Sequence, residues 1–221
     1  MRETGAPLGQ ALLEAVAVMD RLRSPGGCPW DAAQDHRSLA PYLIEEAYEA
    51  LQTIEDGDLE ALRDELGDVL LQVLFHARLA EELPPDRRWS IDDVASGLVA
   101  KLVRRHPHVF GDADVADADE VNRNWEQIKA AERGGDSALA NVPMSLPALT
   151  LAAKLQRKMG AAPGTGLAQA AAGFEASPTD EAAAELLWVA VSQMRAHGID
   201  AEAVLRARVR AYRDEVLHAE S

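Results

Sequence analysis

The sequence predicts an all-α fold, built as an antiparallel helical bundle, and three observations support this. Hydrophobic residues make up 48% of the 221 residues, whereas aromatic residues make up only 5%. Alanine and leucine dominate the apolar set, and the β-branched and aromatic residues that favour strands are sparse. Apolar positions recur at helical spacing, with prolines and glycines clustered between the periodic segments.

Eight helices are predicted, each an amphipathic run bounded by proline, glycine or a capping side chain. In chain order they cover residues 7–23, about 38–55, 59–83, 91–105, a segment that carries Trp125, 146–159, 180–196 and 200–217.

The helix boundaries follow from residues that start or stop helices. Two prolines and two glycines between Ser24 and Asp31 predict an ordered loop. Gly57 suits the C-terminus of one helix, and Asp58 suits the N-cap of the next. Ser90 is a plausible N-cap for the fourth helix.

Two segments are predicted to be connections. Residues 134–136 are two glycines and an aspartate, which is typical of a linker. Residues 160–179 are rich in Ala, Gly, Pro and Thr, so we expect a flexible connection there.

The charge balance limits the classes of function. The formal net charge is -15, from 22 Lys+Arg against 37 Asp+Glu. A surface this acidic repels nucleic acid, and a protein of this charge that handles phosphates needs a bound cation or a local basic cluster.

Cys28 is the single cysteine, so no disulfide can form within the chain. The sequence has neither a secretory signal pattern nor an apolar run of ~18 residues. We therefore expect a soluble, cytoplasmic protein that binds neither nucleic acid nor membranes.

Four acidic residues are arranged symmetrically about the turn at Gly57. Glu46 and Glu49 are three residues apart on the second helix, and Glu65 and Asp68 are three apart on the third, so each pair shares a helix face. Glu49 and Glu65 are equally far from Gly57, and so are Glu46 and Asp68. In an antiparallel hairpin folded at this glycine, the four carboxylates therefore converge.

Four clustered negative charges favour a bound cation, because their mutual repulsion is costly in a partly desolvated groove. All-oxygen ligation favours Mg²⁺, with Mn²⁺ possible. The alternative is a solvated acidic face, which is the commoner role of acidic residues on helices. A di-iron site is disfavoured, because it requires Glu-x-x-His motifs and neither of the two helices contains one.

These motifs, taken in order, resemble those of the MazG family of nucleoside triphosphate pyrophosphohydrolases. The resemblance covers about residues 8–133. The matching motifs are Cys28-Pro-Trp-Asp31, Pro41-Tyr42, Glu45-Glu46-x-x-Glu49, Asp64-Glu65-Leu-Gly-Asp68, Arg104-Arg105-His-Pro-His-Val-Phe110 and Asn124-Trp125-Glu126.

The resemblance implies a dimeric all-α enzyme that hydrolyses a nucleoside triphosphate to the monophosphate and pyrophosphate. It also implies metal ligation by a set of four carboxylates: Glu46, Glu49, Glu65 and Asp68. By the same resemblance, Glu45 helps to hold a ligand or the attacking water. Lys101 and Arg105 would contact phosphate and Trp125 the base. On the residues alone, the two cations equally suit the end of a helix dipole, and Trp125 equally suits the core.

The second half contains a weak internal repeat of the first. The segment Asp68–Arg78 resembles Glu185–Arg195, which is either a duplication or the ordinary likeness of two amphipathic helices. The metal-site positions are not kept, because Ala182 stands opposite Glu65. In the last helix, the positions of Lys101 and Arg105 are taken by Ala211 and Glu215. We therefore expect a catalytic module over 1–133 and a degenerate, structural second module over 134–221.

Two other functions remain open on the sequence. The chain could be a non-catalytic helical dimerisation or adaptor module, although the intact carboxylate set argues against this. It could also hydrolyse a different pyrophosphate-containing nucleotide, such as a nucleotide sugar.

Overall fold

The computed structural model describes residues 9–132, 137–140, 142–160 and 164–220. Within these ranges the chain is helical and contains no strand, which confirms the all-α prediction. None of the described helices is long and apolar enough to cross a membrane. The helices are α1 (Gln10–Arg23), α2 (Pro29–Ala32), α3 (His36–Asp56), α4 (Leu59–Ala80), α5 (Ile91–Arg105), α6 (Pro107–Phe110), α7 (Ala118–Glu132), α8 (Ala148–Met159), α9 (Leu167–Ala176), α10 (Asp180–Ala196) and α11 (Ala201–Ala219).

The chain divides into two compact units, Met1–Val115 and Ala116–Ser221. The boundary expected from the sequence, between residues 133 and 134, lies further along the chain. The difference arises because α7, which carries Trp125, groups with the second unit. The expected linker at 134–136 lies outside the described residues.

In the first unit, α4 is the central helix, and α1, α3 and α5 each pack against it. Only Gly57 and Asp58 separate α3 from α4, so these two helices form an antiparallel hairpin. The core lies at the open end of this hairpin, away from the turn. It is formed by five buried residues: Met19, Leu39, Leu74, Phe75 and Leu79. Complete burial of each such side chain contributes roughly 1.5–3 kcal/mol.

The turn of the hairpin has the chemistry predicted for it. Gly57 adopts a left-handed conformation with φ 73°, which disfavours side chains with a Cβ. The Asp58 carboxylate caps α4 by accepting hydrogen bonds from the backbone N–H groups of Glu60 and Ala61, at 3.1 and 3.0 Å. Ser90 caps α5 as predicted. These caps fix where the helices begin and end, and therefore the register of the hairpin.

The loop after α1 is ordered by a buried arginine. The Arg23 side chain is only 4% exposed and donates two hydrogen bonds to the Glu82 carboxylate, at 3.0 and 2.9 Å. It also donates to the backbone carbonyls of Asp31 and Gln34 and lies 5.5 Å from the centre of the Phe75 ring. One cation thus ties the loop between α1 and α3 to the end of α4.

The second unit repeats this arrangement around α10. The helices α8, α9 and α11 all contact α10, and α11 also packs on α8. The predicted helices over 146–159, 180–196 and 200–217 agree with α8, α10 and α11 to within two residues at each end.

The expectation of a flexible connection over 160–179 is wrong for Leu167–Ala176, which forms α9. Glycine and proline at the edges of this segment suggested a linker, but its centre is rich in alanine, the best helix former. Packing against α10 then stabilises a helix too short to persist alone. The sequence also gave no indication of the short helices α2 and α6.

Candidate metal centre

Three of the predicted carboxylates converge midway along the α3–α4 hairpin. Oxygen atoms of Glu46, Glu49 and Glu65 all lie within 4.8 Å of one another. Glu46 and Glu49 lie one turn apart on α3, and Glu65 faces them from α4. Glu46 and Glu65 are half-buried, whereas Glu49 is exposed. The cluster therefore lies in a groove that is open to solvent on one side.

The electrostatics of the cluster show its crowding. Burial raises the pKa of Glu46 above its ordinary value, and the charges of Asp68 and Glu49 raise it further. Burial likewise raises the pKa of Glu65, followed by the charges of Glu49 and Asp68. The strongest neighbouring charge is thus Asp68 for Glu46 and Glu49 for Glu65. These are the pairs that the register about Gly57 predicts.

Asp68 differs from the other three predicted ligands in its position. It is exposed and lies outside the group whose oxygens approach within 4.8 Å. Its charge nevertheless acts on both Glu46 and Glu65. The structure therefore brings three of the four predicted ligands together and places the fourth beside them.

The donor set fits a hard divalent cation. Carboxylate oxygens are the ligands that Mg²⁺, Mn²⁺ and Ca²⁺ prefer, and a cation would relieve the repulsion that raises the two pKa values. No second acidic, histidine or cysteine group of this kind occurs among the residues that the structure describes.

Two more carboxylates border the cluster. The charge of Glu45 contributes to the raised pKa of Glu46, and the charge of Asp64 to that of Glu65. Glu45 was predicted from the sequence to be functional, whereas no role was predicted for Asp64. The signal for Asp64 was present, because it directly precedes Glu65 on α4. In the structure Asp64 also pairs with Arg63, at 3.1 Å.

The predicted substrate contacts lie on other helices. Lys101 is exposed and Arg105 half-buried near the end of α5, which packs on α4. Trp125 is half-buried on α7 and belongs to the second unit. The roles of these three residues stay predictions.

Comparison with known proteins supplies the family. The model of the MazG nucleotide pyrophosphohydrolase domain matches residues 34–110. A 26.1 kDa protein from the blaB 3′ region of Streptomyces cacaoi is 44% identical over 216 residues, which cover 96% of this chain and 84% of that protein. The nucleoside triphosphate pyrophosphohydrolase of Escherichia coli K12 is 46% identical over 147 residues, 65% of this chain and 55% of the relative. The chain thus matches only about half the length of that enzyme.

A solved structure is also similar in part. It is a mazG-related protein from Thermotoga maritima, with 26% sequence identity and a TM-score of 0.43, and the match covers 55% of this chain and 98% of the other.

A helical hairpin that presents clustered carboxylates from both of its helices defines a class of all-α proteins with a candidate divalent-cation site. Within that class, the family match spans the whole hairpin and the acidic cluster on it. The chain belongs to the MazG family.

Proposed function

We propose that this chain is a magnesium-dependent nucleoside triphosphate pyrophosphohydrolase. In this reaction water attacks the α-phosphorus of a nucleoside triphosphate, aberrant ones included, and the products are the nucleoside monophosphate and pyrophosphate. One observation carries the proposal: Glu46, Glu49 and Glu65 converge on the hairpin that matches the MazG domain. The identity of 46% to the E. coli pyrophosphohydrolase supports the same reaction.

The acidic residues act by holding the cation. Glu46, Glu49, Glu65 and Asp68 are the proposed ligands of Mg²⁺, with Mn²⁺ as a substitute. A bound ion screens the triphosphate charge, polarises the phosphorus and makes deprotonation of a water easier. Glu45, which borders the cluster, is proposed to orient a ligand or the attacking water. This arrangement explains how a chain of net charge -15 can bind a polyanion.

The rest of the substrate is assigned to three further residues. Lys101 and Arg105 are four residues apart and share a face of α5, where their side chains can meet phosphate oxygens. Trp125 is proposed to stack on the base.

The test measures pyrophosphate and monophosphate release from canonical and modified NTPs and dNTPs, and from a nucleotide sugar, with and without Mg²⁺. It compares the wild type with Glu49→Gln, and with Glu60→Gln as a matched control on the exposed first turn of α4. We expect metal-dependent release of both products, abolished by Glu49→Gln and retained by Glu60→Gln.

Other outcomes select the alternatives. Hydrolysis of the nucleotide sugar alone would assign the chain to another pyrophosphate-containing substrate. Absence of turnover with every substrate, in folded protein, would overturn the enzyme assignment in favour of an adaptor module.

We also propose that the chain forms a homodimer. The helix α5 has fifteen residues and none of them is buried. Its apolar side chains are instead exposed by 39–60%, namely Val94, Leu98, Val99, Leu102 and Val103. A continuous apolar helix face of this kind is typical of an interface. Light scattering coupled to size exclusion would measure the mass, and Leu98→Glu should convert a dimer to a monomer.

The two halves are proposed to differ in function. Residues 1–133 form the catalytic module, and residues 134–221 form a degenerate module. The absence of a paired-glutamate motif from α9, the helix that packs on α10 as α3 packs on α4, supports this division.

A further inference from the structure

A second cavity with unusual charge lies wholly within the second unit. It has a volume of about 480 Å³ and is bounded by α8, α10 and the start of α11. This volume falls in the range of small-molecule sites, roughly 300–1,000 Å³. Its walls combine apolar side chains with three cations: Lys154, Arg157 and Arg195.

The positive charges of these side chains have few acidic partners in the described structure. The Nε of the Arg195 guanidinium is buried and has no hydrogen-bond partner among the residues that the structure describes. Asp200 is the one carboxylate in the wall, and its oxygen accepts a hydrogen bond from the backbone N–H of Ala203, at 3.0 Å. The charge of Arg157 contributes to the lowered pKa of Glu126, although the hydrogen bond from Lys129 contributes most. In a chain with 37 acidic residues, such a positive cavity is an exception.

The corresponding cavity of the first unit has an arginine in its wall whose charge is compensated. A cavity of about 330 Å³ lies there between α1 and α4, and Arg78 is in its wall. This arginine is paired with three carboxylates: Asp20 at 2.8 Å, Glu82 at 3.1 Å and Glu81 at 3.8 Å. The first-unit arginine is therefore neutralised within the protein.

Arg195 is the counterpart of Arg78 in the internal repeat, but its counter-ions are missing. The same register puts Gly198 and Ile199 opposite the two glutamates that follow Arg78. The neighbouring helix also differs between the two units. In the second unit α8 contributes Lys154 and Arg157 to the cavity wall, whereas in the first unit α1 contributes an aspartate. Anions that neutralise the first site have thus been replaced by neutral residues and by two additional cations.

We propose that this cavity binds a small phosphorylated anion through Lys154, Arg157 and Arg195. An Arg fork and a Lys ammonium around one centre suit the several oxygens and the multiple charge of a phosphate group. The first residues of α11 line the same cavity, but the Asp200 carboxylate already caps this helix end, so the three cations are the groups available to the anion. The phosphate can belong to free pyrophosphate or to a nucleotide. This ligand site is separate from the proposed catalytic centre and does not depend on it.

The experiment titrates the full chain with pyrophosphate and, separately, with a nucleoside monophosphate, by calorimetry in EDTA. Removal of divalent cations silences the proposed metal site, and Glu49→Gln is titrated as a second check on that point. The test variants are Arg195→Gln and Lys154→Gln. The matched control is Arg208→Gln, which removes one positive charge from an exposed ion pair of the same unit.

We expect saturable binding of at least one anion by the wild type and by Glu49→Gln. Each cavity variant should weaken it at least about tenfold, while Arg208→Gln changes it less than about twofold. Binding of pyrophosphate alone identifies the free anion as the ligand, and tighter binding of the monophosphate identifies a nucleotide.

Two results would overturn the proposal. One is the absence of saturable binding of either anion to the wild type. The other is equal weakening by Arg208→Gln and by the cavity variants, which would reduce the effect to general charge. Melting curves by circular dichroism verify that each variant is folded. If Arg195→Gln does not fold, Lys154→Gln still tests the proposal. Failure of turnover in the earlier assay leaves this outcome unaffected.

Discussion

Glu46 and Glu65 are the residues at which the candidate metal centre couples to pH. Burial and neighbouring carboxylates raise both pKa values above those of ordinary glutamates. A raised carboxyl pKa contributes stability below the unfolded-state pKa, and that contribution is lost as the pH rises through the folded-state value. Without metal, these two groups therefore make the fold less stable as the pH increases towards neutrality.

A cation should reverse this trend, because it binds the deprotonated carboxylates and displaces protons. We expect the affinity for Mn²⁺ to increase between about pH 5 and about pH 7, above the ordinary range of glutamate. Calorimetry in two buffers of different ionisation enthalpy measures the protons released on binding. Affinity that does not change over this range, in wild type and Glu60→Gln alike, would contradict the raised pKa values.

Arg23 and Glu82 form the ion pair on which the order of the loop after α1 depends. The Arg23 side chain is 4% exposed, and Glu82 is 42% exposed, so the cation is the desolvated partner. Hydrogen bonds from Arg23 lower the pKa of Glu82. This contribution to stability is present above the unfolded-state pKa and is lost as the pH falls through the folded-state value.

Glu82→Gln should therefore destabilise the first unit by about 1.5–3 kcal/mol, because a buried guanidinium loses its counter-charge. Urea denaturation at neutral pH measures the change. Arg63→Gln breaks an ion pair whose side chains are 73% and 69% exposed and should cost less than about 1 kcal/mol. Equal effects of the two substitutions would show that burial of Arg23 adds nothing.

At the scale of a helix, Gly67 on α4 is unexplained by packing. It lies between Glu65 and Asp68, and a Cβ built there meets no atom within 4 Å. Glycine inside a helix costs about 1 kcal/mol relative to alanine. The neighbouring helices of the described structure do not need this space, so we expect a bound substrate to approach the backbone here.

Gly67→Ala should thus raise the stability of the free protein by about 0.5–1 kcal/mol, measured by thermal or urea unfolding. If substrate approaches the backbone here, the same variant should show a raised KM. Stabilisation with an unchanged KM would assign the glycine no part in binding. A loss of stability would contradict the open environment.

The helices that were predictable from sequence are those whose ends carry local signals. Gly57, Asp58 and Ser90 specify caps that need no tertiary information, and two of them fix the register that brings Glu46 and Glu65 together. The helix α9 was missed because its stability comes from packing on α10, which composition does not show. The buried position of Arg23 was also hidden, since its partner Glu82 is distant in sequence.

The whole molecule consists of two units with the same order of packed helices and different chemistry. In each, a central helix contacts three others, but the described carboxylate cluster is confined to the first unit. The helix α9 has a single glutamate, whereas the corresponding α3 contributes two of the proposed metal ligands. The likeness of the two segments in sequence could not decide between duplication and coincidence. The repeated packing around α4 and α10 favours duplication followed by loss of the site.

This division predicts a large loss of activity from a substitution in the first unit and none from the equivalent substitution in the second. Asp68 and Glu185 occupy matching positions in the repeat, and both are exposed. Asp68→Asn should reduce kcat by more than about a hundredfold, because a proposed metal ligand contributes several kcal/mol to stabilisation of the transition state. Glu185→Gln should leave kcat within about twofold of the wild type, since an exposed carboxylate without neighbouring ligands holds no cation. Steady-state pyrophosphate release at saturating Mg²⁺ measures both. A hundredfold loss of kcat in Glu185→Gln, in protein with an unchanged melting curve, would show that the reaction was assigned to the wrong unit.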